Sequence, residues 1–599
     1  MDCDFLAEIS EKSFNWCLGN ARQCLETGNS NRALEWCSSA ALLASGRGFF
    51  GLLASADMED IIYRAAGVLP RPLFEKKAGN DGRRWLHVLS EAYEVFGHTK
   101  LCRLWIQNAR AEDSHSVLLT SQDSPVPENL RTLIESRSGS IVRLDPSLPL
   151  LDRAEALREY AYEHADVVVL HIHMDDVIPA AAFSIRGGPP VVYTNHADHI
   201  FWAGRSIADV VFDIRDSGHA WTVNHRCVPR SQIVPIPLNR VHSGGGAPQQ
   251  ERVRAKTRLG IPDSSPVLLT IGSPHKYLPM GSLDFTVAAE RLLQRNPDVF
   301  LIAVGPQRTG QWKRLALSTE GRFRPVGIQL EIEDYYMAAD IYLEGFPCGS
   351  LTAMLDAGLA GLPCVTAPKQ VAPTCSSDGI ALEEIPRPID LDDYVARVEA
   401  LIADPVMRRQ QGIALSHRIS QHHCAGGWLQ HLEHACAHIP PVHEVYADRR
   451  PNPVPIESRN YLLTVSNPPG NDEPYVSLLV ELLSVVMQKG IPSSMLGDPF
   501  LKLVVEQCCA RMTCAGARGG SADRLRSDIT QRAISKAMTK LAARNILRRR
   551  RAEAIKCALQ ACQHNLRRLA DRDIYRTLAR SILSESAYGK IKRLVSLSW

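Results

Sequence analysis

The 599-residue sequence has no apolar run long enough to cross a bilayer. Its longest, such as Ser477–Met487, stop well short of the ~20 residues a spanning helix needs, so no membrane span is expected. The first residues, MDCDFLAEIS, are acidic and lack the basic-then-apolar order of a secretory leader, which predicts a cytoplasmic location. The chain also lacks a dominant charge: its net charge is only +3, and its 45% apolar and 22% charged content is ordinary for a globular protein. Cysteine is present sixteen times but without a ligand-like rhythm. That predicts reduced, buried thiols rather than a disulfide framework or a zinc site.

What charge there is lies unevenly. Over residues 521–599, Lys and Arg exceed Asp and Glu by roughly 13, so the remainder of the chain is acidic by about 10. The surplus sits in the C-terminal helical region, densest at Arg548–Arg551, and not in the part that carries the motifs. Aromatics are sparse there (Tyr575, Tyr588, Trp599), which argues against single-stranded nucleic acid as a partner. A solvated helical face, or docking to acidic headgroups at the inner face of a membrane or to an acidic protein partner, fits the composition.

The length is too great for one core and divides by pattern. Residues 1–83 read as a helical N-terminal region. Within it 12–45 form a helical hairpin with the small-residue spacing of a tetratricopeptide unit (Ala21, Gly28, Ala33, Ala40) and with Trp16 and Trp36 as large partners. From 84 to 245 strands alternate with helices. Strands are expected at 85–90, 116–120, 140–144, 166–171 and 190–194, a turn at 94–100, and helices at 101–109 and 151–164. A second alternation fills 246–439, with strands at 266–271, 299–304, 327–330 and 341–343 and helices at 251–259, 283–294, 332–339, 391–403 and 408–422. Such alternation means parallel sheets covered on both faces, with ligands at the C-terminal strand ends. Residues 440–470 read as a proline-rich linker, and 471–599 as a basic helical domain.

The most informative segment is Glu344–Pro363, EGFPCGSLTAMLDAGLAGLP. Gly345, Pro347, Gly349, Ser350 and Thr352 precede a short apolar helix holding one acidic residue, Asp356. Gly361, Leu362 and Pro363 then end that helix before a strand at 364–366. A glycine-rich loop opening a helix offers backbone N–H groups and a positive dipole end to a phosphate. The carboxylate further in can accept from ribose hydroxyls.

This loop resembles the donor loop of GT-B glycosyltransferases, most of all the O-GlcNAc transferase and the HMW1C-like protein glycosyltransferases. The resemblance covers roughly residues 84–437. It implies an α/β fold of two Rossmann-like domains, with a helical N-terminal cap and a helical C-terminal extension, acting on a nucleotide-sugar donor expected to be UDP-linked. It also implies a protein, glycan or lipid-linked acceptor, and no metal or cofactor. Cys348 stands where retaining members carry the first of two glutamates, and Asp356 takes the second place; inversion is the outcome this favours. By the same resemblance Gly97, Gly272, Lys276, Gly349, Ser350, Leu351, Thr352 and Asp356 bind the donor, and His98, His196 and Lys276 do chemistry.

The residues support those roles on their own terms. Gly97-His98-Thr99 follows the first strand, with Phe96 where the resembling sequences have glycine. YTNHADHIFW (193–202) puts His196 and His199 around Asp198 at a strand end, and histidine suits a general base near neutral pH. Lys276, in the turn after the first strand of the second half, can hold a departing diphosphate. Arg215 could reach the cleft, and Asp334 and Tyr335 could flank the base. A zinc site using His171, His173, Asp175 and Asp176 is the rival reading of the histidines. A nucleotide-sugar 2-epimerase and a non-catalytic scaffold of the same fold are the rival functions.

Overall fold

The computed structural model describes residues 2–46, 48–70, 82–94, 97–239, 249–446 and 450–467, together with 480, 503, 504, 507 and 508. The expected basic helices of 471–599, apart from those five positions, lie outside the described residues, as do Phe96 and residues 240–248.

The N-terminal hairpin forms from helices Cys3–Glu26 and Ser30–Ser45. Asp2 and Asn29 cap them by accepting from Phe5 N and Arg32 N. Gly28 supplies the positive φ (+76°) that the tight turn needs, and Trp16 meets Trp36 edge-on at 5.2 Å. A third helix, Ala56–Ala66, follows. Its buried Glu59 accepts from Gly204 N (2.8 Å), Arg205 N (3.1 Å) and Ser206 Oγ (2.5 Å), which fastens the cap to the next unit.

That unit is a seven-stranded parallel sheet: β1 Arg84–Leu89, β2 Ser114–Leu119, β3 Ile141–Arg143, β4 Val167–His171, β5 Val191–Asn195, β6 Val210–Asp213 and β7 Ser231–Ile233, in the order β3-β2-β1-β4-β5-β6-β7. The second sheet is also parallel: β8 Val267–Ile271, β9 Phe300–Val304, β10 Phe323–Gly327, β11 Ile341–Leu343 and β12 Cys364–Val365, in the order β10-β9-β8-β11-β12. Both are Rossmann-like, and the central strands β4, β5, β6 and β11 are buried throughout, as a sheet covered on both faces requires. In each sheet the order reverses once, between β1 and β4 and between β8 and β11. A crevice opens outside the strand ends at such a point.

Four expectations need correction. The strand read at 327–330 lies four residues earlier. Gly327 has φ +73° and ends it, while Ile328 and Leu330 are exposed beyond it. The turn read at 94–100 gives way at Gly97 to the helix Gly97–Asn108. Strands β6 and β7 were not anticipated. Finally, the proline-rich span ends in a helix, Ile456–Ser466, with Pro455 at its N-cap, a place where proline's fixed φ does no harm.

The end of the second half returns to the first. Helix Pro405–His423 leads into Ala425–Cys436, whose Trp428 is buried against Trp105 (5.9 Å) and donates from Nε1 to Pro235 O (2.8 Å). Helix Ile456–Ser466 then reaches the N-terminal cap, where Arg459 pairs with Asp4, and Tyr461 donates to Pro347 O (2.6 Å).

Candidate functional site

The four loops that follow β1, β4, β8 and β11 are the ones the strand order brings to the crevice. After β11 the chain turns through Glu344–Ser350 into helix Leu351–Leu359. Glu344 points inward and accepts from Ala367 N and Ser377 N (both 2.7 Å), and burial pushes its carboxyl above the usual range. The loop's glycines answer to packing. A Cβ on Gly345 would lie 2.3 Å from the Tyr277 ring, and one on Gly349 would lie 2.1 Å from the Glu344 carboxylate. Gly97, by contrast, has open space where its Cβ would be. Ser350 is the N-cap of the helix but makes no side-chain cap bond, so the N–H groups of the first turn, from Leu351 and Thr352 on, face the crevice without it.

After β8, Gly272 donates to Val304 O (3.1 Å), and the short turn Pro274–Tyr277 carries Lys276. The Lys276 ammonium donates to Gly349 O (2.7 Å) and Ser350 Oγ (3.0 Å), and its own carbonyl accepts from Cys348 N (3.1 Å). A cation is thus pinned at the positive end of a helix, an arrangement that is unfavourable unless an anion joins it. Further along the helix, Asp356 is paired with Lys100 of the first half (3.1 Å). Burial raises its carboxyl, and the lysine opposes that.

The first half contributes imidazoles. His98, in the first turn of helix Gly97–Asn108, packs edge-on to His173 (5.2 Å) and tilted against His196 (5.8 Å). His98 Nε2 donates to Glu91 O (2.9 Å), which leaves Nδ1 as the basic atom; His196 Nδ1 faces Thr194 O (3.3 Å), which leaves Nε2. Burial lowers both, against those carbonyl bonds, and takes His196 to about 4. Both rings are neutral at pH 7 and able to accept a proton.

Asp198 and Arg215 form a buried bidentate pair (2.5 and 2.7 Å). Against its own burial, Asp198 is held well below the usual carboxylate range by this guanidinium. Arg215 also crosses the crevice, donating to Thr374 O (2.6 Å) and Ser376 O (2.8 Å) of the second half. Beside it, Ser217 N and Oγ donate to Asp378 (2.8 and 3.0 Å). The Cys348 thiol is shifted down by its hydrogen bond to the Cys375 thiol and, against burial, by Lys276, His199 and Arg215.

The structure thus brings Lys276, Gly349, Ser350, Leu351 and Thr352 to one helix end, with Asp356 beyond, and gathers His98 and His196 in another cluster. Asp334 is paired with Arg258 at the surface, and Tyr335 is half-buried against the same apolar cluster as Leu351. The rival metal set is dispersed. His171 lies in the sheet interior, and Asp176 accepts from Ser90 Oγ (2.6 Å) and Thr120 Oγ1 (2.5 Å). Sequence reasoning gave Lys100 and Cys375 no role, and it read His173 only as a metal ligand and not as a neighbour of His98. His171 closes β4 inside the sheet, whereas His173 lies past the strand end. Nothing local marks the other two.

No family model and no curated protein matches this chain. Among solved structures it is similar to HepE of Anabaena in complex with UDP (14% identity, 59% of this chain and 99% of that one, TM-score 0.45). It is also similar to an O-GlcNAc transferase mutant from Thermobaculum terrenum (14% identity, 71% and 83%, TM-score 0.43) and to a glycosyltransferase from Rickettsia africae (10% identity, 59% and 98%, TM-score 0.46). Likeness at these values assigns no residue a role.

Proposed function

We propose that this protein is a glycosyltransferase that moves a sugar from a nucleotide-sugar donor to a hydroxyl or amide acceptor. One observation carries the reading: the Lys276 ammonium fixed against Gly349 and Ser350 at the start of helix Leu351–Leu359, two positive sources that call for the same anion. A nucleoside diphosphate supplies that anion, and Asp356, on the same helix, is placed for the ribose.

In this mechanism His98 Nδ1 takes the acceptor proton, since His196 at about 4 is a weak base. The acceptor oxygen or nitrogen attacks the anomeric carbon as the bond to the β-phosphate oxygen breaks. Charge developing on the departing diphosphate is met by Lys276 and the helix N–H groups, which are already in position and need no reorganisation. Before the donor binds, the Lys100–Asp356 pair sets the first turn of the His98 helix opposite the donor helix. Displacement in one step inverts the anomeric centre.

Calorimetric titration with UDP, GDP and their sugar conjugates tests the reading, on the wild type and on Asp356→Ala. Selective binding of one nucleotide, weakened tenfold or more by the substitution, is the expected result. No binding of any of them would overturn the donor site.

A further inference from the structure

Beneath the crevice the first half buries a second group of histidines that the proposed transfer does not use. His115 on β2, His87 on β1 and His171 on β4 stand in a row across three adjacent strands, each with no solvent exposure. His87 Nδ1 lies 3.1 Å from His171 Nε2, and His87 Nε2 lies 3.0 Å from His115 Nδ1. Cys102, equally buried, descends from helix Gly97–Asn108 on one face of this sheet. One ligand atom from each of His87, Cys102 and His171 lies within 4.8 Å of the other two. Trp105 stands edge-on to both rings, at 5.7 and 5.8 Å.

We propose that His87, Cys102 and His171 bind one thiophilic d10 metal ion, Cu+ or Zn2+, as a structural centre in the core of the first half. A shared proton accounts for the 3.1 Å contact alone; an ion accounts for the convergence of three groups from three elements. Two nitrogens each ~2.0 Å from one ion in tetrahedral geometry stand about 3.3 Å apart, close to the separation found here. His115 then has a role as well. It accepts from His87 Nε2 and fixes the tautomer that presents Nδ1 to the ion, as outer-shell partners of ligating histidines do.

The donor set selects the class of ion. Imidazole and thiolate with no carboxylate suit soft and borderline metals and not Mg2+, Ca2+ or Mn2+. Binding releases the Cys102 proton to solvent. Cu+ with one thiolate is neutral, which suits a site with no solvent exposure, and it is content with three ligands. Zn2+ leaves a positive charge and calls for a fourth ligand, which would be a water molecule. Of the two, Cu+ fits these residues better. The bound ion would tie β1 and β4 to the helix that carries His98 four residues before Cys102, so the centre stiffens the first-half wall of the crevice without touching substrate.

The test uses the full-length protein purified without chelator, then stripped of metal and titrated anaerobically with Cu+ and with Zn2+ in separate arms. Metal content by mass spectrometry should show one equivalent lost in Cys102→Ala and kept in Cys37→Ala, whose thiol lies in the N-terminal cap. X-ray absorption at the bound metal should read two nitrogens and one sulfur. An added oxygen would identify Zn2+ as the occupant. Metal raises the wild-type melting temperature and leaves that of Cys102→Ala unchanged. If Cys102→Ala does not fold, the wild-type absorption shell decides alone, and a shell without sulfur or with two or more sulfurs overturns the proposal. So does a wild type that takes up neither ion, or uptake that Cys102→Ala leaves intact.

Discussion

One wall of the crevice is built from imidazoles and the other from backbone N–H groups and an ammonium. In the first wall burial lowers His98 and His196, so both are neutral near pH 7, and His173 packs edge-on against His98. The second sets the Lys276 ammonium against the start of a helix, two positive sources side by side. On the proposed reading, proton transfer and anion binding therefore sit on separate scaffolds, and substitutions should disable one without the other. The two walls meet at Arg215, whose charge is matched by Asp198 on its own side and spent on carbonyls of the other.

Substitutions can break this division at its strongest point first. Arg215→Ala leaves the buried Asp198 carboxylate and two carbonyls without their donor, and should cost roughly 3–5 kcal/mol of stability by urea denaturation. Its effect should appear on both walls together. Lys276→Ala removes only the anion side. It should lower transfer on the order of 10²–10³-fold while the melting temperature stays within a few degrees, in a steady-state assay with the donor identified by titration. Parallel loss of fold and activity there would mean that Lys276 is a loop brace and nothing more.

Acid separates the walls without mutation. His196, lowered to about 4 chiefly by burial, binds fewer protons folded than unfolded. Its contribution to stability is therefore full above the unfolded value of about 6.5 and is lost as pH falls from there toward 4, roughly 2 kcal/mol by pH 5. The urea midpoint should fall over that interval, and His196→Asn should flatten the dependence. The smallest effect belongs to Lys100→Ala. The pair with Asp356 is half exposed, so stability should change by only about 0.2–1 kcal/mol. Nucleotide affinity measured by calorimetry should hold or rise as the carboxylate is released.

Much of the architecture could be read from the chain because strand and helix periods are local properties. β11 and helix Leu391–Ala403 fall where the pattern placed them, and the loop Glu344–Ser350 announced itself by composition. What escaped was set by distance along the chain. Lys100 and Asp356 are 256 residues apart, and Cys102 among sixteen cysteines carries no spacing signal toward His87 and His171. The glycines at 345 and 349 were read as part of a loop offering N–H groups to a phosphate, yet packing against Tyr277 and Glu344 already requires them. The helix Ile456–Ser466 was hidden by prolines that stop just before it.

The ties between the halves are unequal, and their placement works like the hanging of a door. Arg215 at one point and Trp428 at another are buried and costly to undo, so they are the firm ties. The Lys100–Asp356 pair is partly in water and cheap to part; it is the latch. On the proposed reading, a ribose that claims Asp356 would lift that latch from inside, so the nucleotide itself would part the weaker tie between the halves.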